Sequence, residues 1–186
     1  MKTLINLSLI TLVFLCFFSC DEKVAPPKKT YNYLKYNPPK VLYPNDSILI
    51  DLNNDNFNDV IIKSFLFIDL PDTILKNTIS IIDTSFKLSY GQRYSSYFEF
   101  ILNGDRVNPQ NVHWSQEIPI SGYINSVSTG IWNDNNNEDK YLAILKCDNE
   151  LVKMGWLMLS CTDSSITLKE FYMNNISNSQ IIIGTK

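Results

Sequence analysis

The sequence predicts an all-β chain, an antiparallel β-sandwich of jelly-roll-like character. Three observations lead there. Short apolar runs rich in Ile, Val, Phe and Tyr recur along its 186 residues, each bounded by Asn, Asp, Gly or Pro. No window of a dozen residues carries apolar side chains at helical spacing. Several runs, Tyr141-Leu142-Ala143-Ile144-Leu145 among them, are apolar at successive positions, so both faces of those strands must be covered.

The chain begins with a different kind of segment. Lys2 precedes an apolar run from Leu4 to Phe18, interrupted by Asn6, Ser8 and Thr11. That is the length of a signal-peptide core, and short of the ~20 residues a membrane-spanning helix needs. The run ends at Phe17-Phe18-Ser19-Cys20. This resembles a bacterial lipobox, in which a small residue precedes a cysteine that is lipidated and becomes the new N-terminus; Phe17 stands where leucine is usual. The resemblance implies a signal peptide over residues 1–19 and a lipid anchor, palmitate included, on Cys20. Each buried methylene of such an anchor contributes roughly 0.8 kcal/mol, so several chains hold stably. The acidic pair Asp21-Glu22 resembles the start of Bacteroidetes lipoproteins sent to the cell surface, whereas in enteric bacteria an aspartate there goes with inner-membrane retention. The implied place is the bacterial cell envelope, at the outer membrane, with the leaflet open.

Residues 20–37 read as a polar tether containing Pro26-Pro27-Lys28-Lys29, and residues 38–186 as one sandwich domain. Tyr31, Tyr33 and Tyr36 blur that boundary, because they suit a first strand. Expected strands then follow at 47–52, 60–68, 78–86, 95–102, 121–127, 140–147, 152–161, 166–173 and 181–184. A formal net charge of −3, with no lysine or arginine run beyond Lys28-Lys29, argues against nucleic acid as partner.

Between the first two of those strands lies Asp51-Leu52-Asn53-Asn54-Asp55-Asn56-Phe57-Asn58-Asp59. Asp51, Asn53, Asp55 and Asp59 form D-x-N-x-D-x-x-x-D. Calcium takes six to eight oxygens at about 2.4 Å, from carboxylates, amides and carbonyls. In a tightly wound loop the side chains at the first, third and fifth positions converge, the backbone carbonyl of Phe57 adds a ligand, and Asp59 closes the site. Asn54, Asn56 and Asn58 tolerate the left-handed backbone that winding requires. Ile62 stands where an EF-hand needs glutamate, and the flanks read as strands. The loop instead resembles the calcium loops of integrin-type propeller repeats, present here once. A solvated turn in an asparagine-rich chain is the other reading; three aspartates at matching spacing favour structural Ca2+. The second polar loop, Asn133 to Asp139, lacks that register and reads as a turn.

Lys140 to Lys146, a short polar turn, and Gly155-Trp156-Leu157-Met158-Leu159 form an expected hairpin with Trp156 in the core. It resembles a hairpin of secreted Bacteroidetes proteins in which a "YLGFRF" strand leads to a "YGW" strand; Ala143 and Met154 depart from that pattern. The resemblance implies an uncharacterised envelope lipoprotein family and no activity. Cys147 and Cys161, placed on the two strands far from one another, are expected as free and mostly buried thiols.

No catalytic set emerges. His113 is the single histidine, no zinc spacing exists, and no phosphate-cradling glycine loop appears among six glycines. Tyr90, Arg93, Tyr94, Trp114 and Trp132 are candidates for an aromatic platform for a glycan or protein ligand. Asp46-Ser47-Ile48 and Asp72-Thr73-Ile74 resemble O-glycosylation acceptors of the same phylum. The function these residues suggest is a lipid-anchored, calcium-stabilised binding or scaffolding module. The alternative is a surface hydrolase, glycosidase-like, which needs two carboxyls about 5 to 9 Å apart in a cleft.

Overall fold

The computed structural model describes residues 30–69, 72–94, 97–124, 127–129, 138–149, 151–162, 164–177 and 180–186. The expected signal segment, Cys20 and residues 21–29 of the expected tether lie outside them. The described residues are all-β, without a helix.

One sheet, here sheet A, orders its strands β1 (Tyr31–Leu42), β13 (Ile166–Asn174), β12 (Leu151–Cys161), β11 (Lys140–Asp148) and β5 (Phe86–Ser89). Sheet B orders β10 (Val127–Thr129), β9 (Glu117–Ile124), β4 (Asp72–Ile81), β3 (Val60–Asp69) and β2 (Ser47–Ile50). Two ribbons complete the fold: β6 (Gly91–Tyr94) with β7 (Tyr97–Phe100), and β8 (Arg106–Val107) with β14 (Ile181–Ile182). Every pairing is antiparallel.

Alternation explains how the sheets meet. On β3, Val60 and Ile62 face inward and on β2, Ile50; they pack with Ile79, Ile118 and Ile120 of sheet B and with Leu142, Ile144, Leu157 and Leu159 of sheet A. That aliphatic layer is the sandwich core. The opposite face of sheet A is also buried. Tyr141, Ala143, Leu145, Met154, Trp156 and Tyr172 lie under Ile101, Val107, Val112, Ile181 and Ile183. Two stretches far apart in sequence therefore cover one face, joined by the β8–β14 ribbon. This is why the β11 run is apolar at every position.

Several boundaries moved. The first strand, β1, begins at Tyr31, inside the expected tether; Pro38 and Pro39 fall in a bulge of this edge strand, where no ladder N–H is needed. The strand expected at 78–86 is two strands, β4 ending at Ile81 and β5 starting at Phe86, because Asp83 makes a turn: its carboxylate accepts from Ser85 N and Ser85 Oγ. β9 starts at Glu117, before the expected 121, since Pro119 sits at a register shift. A second bulge shifts parity in β13: Ile166 and Leu168 face the sandwich, then Phe171 and Met173, with Tyr172 turned to the other cluster. The expected hairpin of Lys140–Lys146 with Trp156 is present, and Trp156 is fully buried. Gly155 is required there, because a Cβ would collide with the Tyr172 carbonyl oxygen. Cys161 is buried as expected; Cys147 is exposed, a correction that follows from its place beside the β11–β12 turn.

Candidate functional site

The acidic loop connects β2 to β3 at the end of the sandwich where the chain enters β1. Asp51 winds it. Its Oδ1 accepts from Asn54 N at 2.6 Å and Asp55 N at 3.3 Å, and its Oδ2 accepts from Asn56 N at 2.8 Å. Asn53 Oδ1 accepts from Asp55 N at 2.9 Å, and Asp55 Oδ1 from Phe57 N at 2.9 Å. Asn54 and Asn56 take φ of 61° and 70°, the left-handed backbone expected of them, whereas Asn58 keeps negative φ on the approach to β3. The Phe57 amide holds the Asp55 carboxyl below the usual carboxylate range.

Asp59 behaves differently. It is 1% exposed, and its Oδ2 accepts from Leu52 N at 2.7 Å. Its backbone ties two strands: Asp59 N donates to Ile50 O at 2.9 Å, and its carbonyl accepts from Ile82 N at 2.7 Å. Burial pushes its carboxyl up to about 6, opposed by the Leu52 amide and the Lys146 ammonium and helped by the charges of Asp55 and Asp51. Lys146, on β11 of the other sheet, thus lies within electrostatic reach of the loop.

The expected ligands are therefore divided. Asp51, Asn53 and Asp55 share one wound turn, whereas Asp59 is buried and committed to Leu52. Among the described residues no group of three or more His, Cys, Asp or Glu side chains is placed to hold a metal ion. Donor chemistry nonetheless suits a hard cation on the turn. Asp51 Oδ2, Asn53 Oδ1 and Asp55 Oδ1 each accept one amide hydrogen bond, which leaves a lone pair on each for a metal. Asp51, Asn53 and Asp55 are the residues that would hold it, and the ion would supply countercharge.

Of the five residues of the aromatic platform, Tyr90 and Trp114 have described side chains, and they pack in different clusters. Tyr90 packs against the sandwich core, and Trp114 packs against the outer cluster with its indole N–H donating to Pro109 O at 2.9 Å. Arg93 and Tyr94 lie on β6, opposite Phe98 and Tyr97, and their side chains lie outside the described residues, as does Trp132. His113 is exposed. Ser47 and Thr73 of the two acceptor-like triplets are exposed on β2 and β4. A different aromatic surface was missed. Phe65 and Phe67, on the outward side of β3, are both exposed and stack with centroids 6.0 Å apart. Lys63 lies over the Phe65 ring at 5.9 Å. The alternation of β3 carries the signal: Val60, Ile62 and Ser64 are buried, which sends Lys63, Phe65 and Phe67 outward.

No protein-family model, no curated protein and no solved structure matches the chain.

Proposed function

We propose that this chain is a lipoprotein of the bacterial cell envelope, lipidated on Cys20 and held at the outer membrane, whose β-sandwich is stabilised by calcium and binds a glycan or protein ligand. The observation that carries the calcium reading is the winding of the turn by Asp51, whose carboxylate gathers three backbone N–H groups and brings Asn53 and Asp55 into the same turn. The ion would neutralise carboxylates that otherwise repel one another and would fix the β2–β3 connection. Supporting the binding reading, the exposed Phe65–Phe67 pair with Lys63 alongside offers ring faces on which a sugar or planar side chain stacks.

Calorimetric titration of the domain with calcium tests the metal. Wild type should give saturable heat and the Asp51→Ala/Asp55→Ala variant none; negligible heat from both would remove calcium from the account. Radioactive palmitate should label wild type and not Cys20→Ala. Loss of glycan or peptide binding in Phe65→Ala/Phe67→Ala, with unchanged thermal stability, checks the aromatic surface.

A further inference from the structure

We infer that the sandwich rests on a phospholipid bilayer through the end that carries the acidic loop, with Phe57, Ile82, Leu151 and Ile176 touching the lipid. The inference rests on the lipid anchor at Cys20 proposed above and adds an orientation and a contact surface to it.

Topology puts these four residues at one end. Phe57 is in the β2–β3 loop and Ile82 follows β4; Ile82 N donates to the Asp59 carbonyl. Leu151 opens β12 beside the β11–β12 turn, and Cys147 N, on the same turn, donates to Ser85 O at 2.9 Å next to Ile82. Ile176 follows β13, where Asn175 N donates to Thr30 O at 2.8 Å. Asn32 Nδ2, near the start of β1, donates to Leu52 O at 2.8 Å and links that corner to the acidic loop. Four separate connections thus each present one large apolar side chain: Phe57 is 76% exposed, Ile82 47%, Leu151 53% and Ile176 55%. Polar connections give no reason for such side chains, and none of the four serves either core.

What covers them follows from where the chain enters. Thr30 is at this end, ten residues after Cys20, so the anchor holds it within roughly 35 Å of the membrane at full extension. The tip of the β3–β4 hairpin, at Ile68, is a strand length farther away. A tether of that length keeps the end at an effective concentration in the roughly millimolar range, where weak apolar partitioning suffices. The exposed carboxylates Asp55 and Asp148 at this end are offset by Lys146 and by Lys153, 3.5 Å from Asp148, so the end carries no strong net field and its contact is with zwitterionic headgroups through apolar side chains.

Cys147 provides the reporter, because its free thiol is exposed on this end while Cys161 is buried. The full lipidated chain, labelled at Cys147 with a fluorophore, is reconstituted on phosphatidylcholine–phosphatidylethanolamine vesicles containing a headgroup-level spin-labelled quencher. Flotation with the vesicles, absent in Cys20→Ala, checks the anchor first. The orientation predicts quenching at Cys147 at least threefold stronger than at the far end, labelled through Ile68→Cys in a Cys147→Ser background. It also predicts that Phe57→Ser/Leu151→Ser/Ile176→Ser, surface changes that leave the fold intact, lowers Cys147 quenching at least threefold without loss of flotation. Flotation with equal quenching at both ends, or with no effect of the triple variant, overturns the docking and leaves the anchor standing. Failure to float overturns the anchor, and this orientation falls with it.

Discussion

One face of sheet A meets aliphatic side chains of sheet B; its other face carries aromatic rings that two distant pieces of chain cover. The sandwich core is Leu, Ile, Val and Met with Phe86 and Phe171, and it needs no hydrogen bonds of its own. In the outer cluster, polar handles are tied off at the periphery. Trp156 Nε1 donates to Thr185 O at 3.0 Å, and Tyr33 OH donates to Glu170 Oε2 at 2.5 Å. Lys186 lies over the Tyr33 ring at 3.7 Å. The comparison teaches that a face built by strand alternation is specified locally, whereas a face built by aromatics depends on which loops return to cover it.

Trp156→Ala should give the largest effect. The ring is fully buried, stacks on Tyr172 at 6.1 Å and meets Tyr141 edge-on at 5.8 Å. Deleting it should cost about 3–5 kcal/mol in urea unfolding. If the two faces are one cooperative unit, all probes shift together; if the outer layer opens alone, the amides of Gly104 and Ile183 lose hydrogen-exchange protection first.

Next comes Asp59, a buried carboxyl beside the sandwich core. The Asp59 carboxyl is raised to about 6 from an ordinary 3.8, so the folded state holds its proton more tightly than the unfolded one. Its contribution to the stability of the calcium-free protein is therefore greatest below pH 4 and is lost as pH rises through 6. Two units correspond to about 3 kcal/mol. Asp59→Asn keeps an oxygen for the Leu52 amide and has no charge, so the difference between wild-type and variant unfolding curves should run in that direction between pH 4 and 7. A difference that is constant with pH would show that the carboxyl is better solvated than its 1% exposure implies.

How much of this was legible follows the same divide. The strand beginning at Val60 and the hairpin carrying Trp156 could be read directly from their apolar runs, though not which side chains of that strand face outward. The β13 bulge could not, since one extra residue changes parity without a mark in the sequence. The outer cover could not either: Ile181 meets Val107, more than seventy positions away, through a two-residue ribbon. In the acidic loop, spacing announced the Asp51 turn and the left-handed Asn54 and Asn56. It did not announce that Asp59 is buried and bound to Leu52, because nothing in D-x-N-x-D-x-x-x-D separates a ligand from a strand-capping carboxylate.

Gly184→Ala should act on the outer face alone. Gly184 has φ of +78°, and an added Cβ would collide with Asn103 Oδ1. Left-handed backbone costs a residue with Cβ about 1–2 kcal/mol. The loss should appear as weaker protection of the Ile183 amide, which donates to Asp105 O at 2.9 Å, and as a change in Trp156 fluorescence.

The smallest effect gives the sharpest contrast. Ile62→Val and Ile183→Val each remove one methylene from a side chain that is fully buried, the first in the sandwich core and the second in the outer cluster. Both should cost roughly 0.5–1.5 kcal/mol. Ile62 is on a central strand of sheet B, paired with Ile48 on one side and Ile79 on the other, so its loss should be felt at every amide that exchanges by global unfolding. Ile183 is held within the cover by backbone hydrogen bonds with Asp105 and Gly104, so its loss should accelerate exchange at those amides and leave β3 and β4 unchanged. Equal slowing or acceleration at both sites in both variants would mean that the two faces of sheet A fold as a single layer, and that the cover is as integral to stability as the sandwich itself.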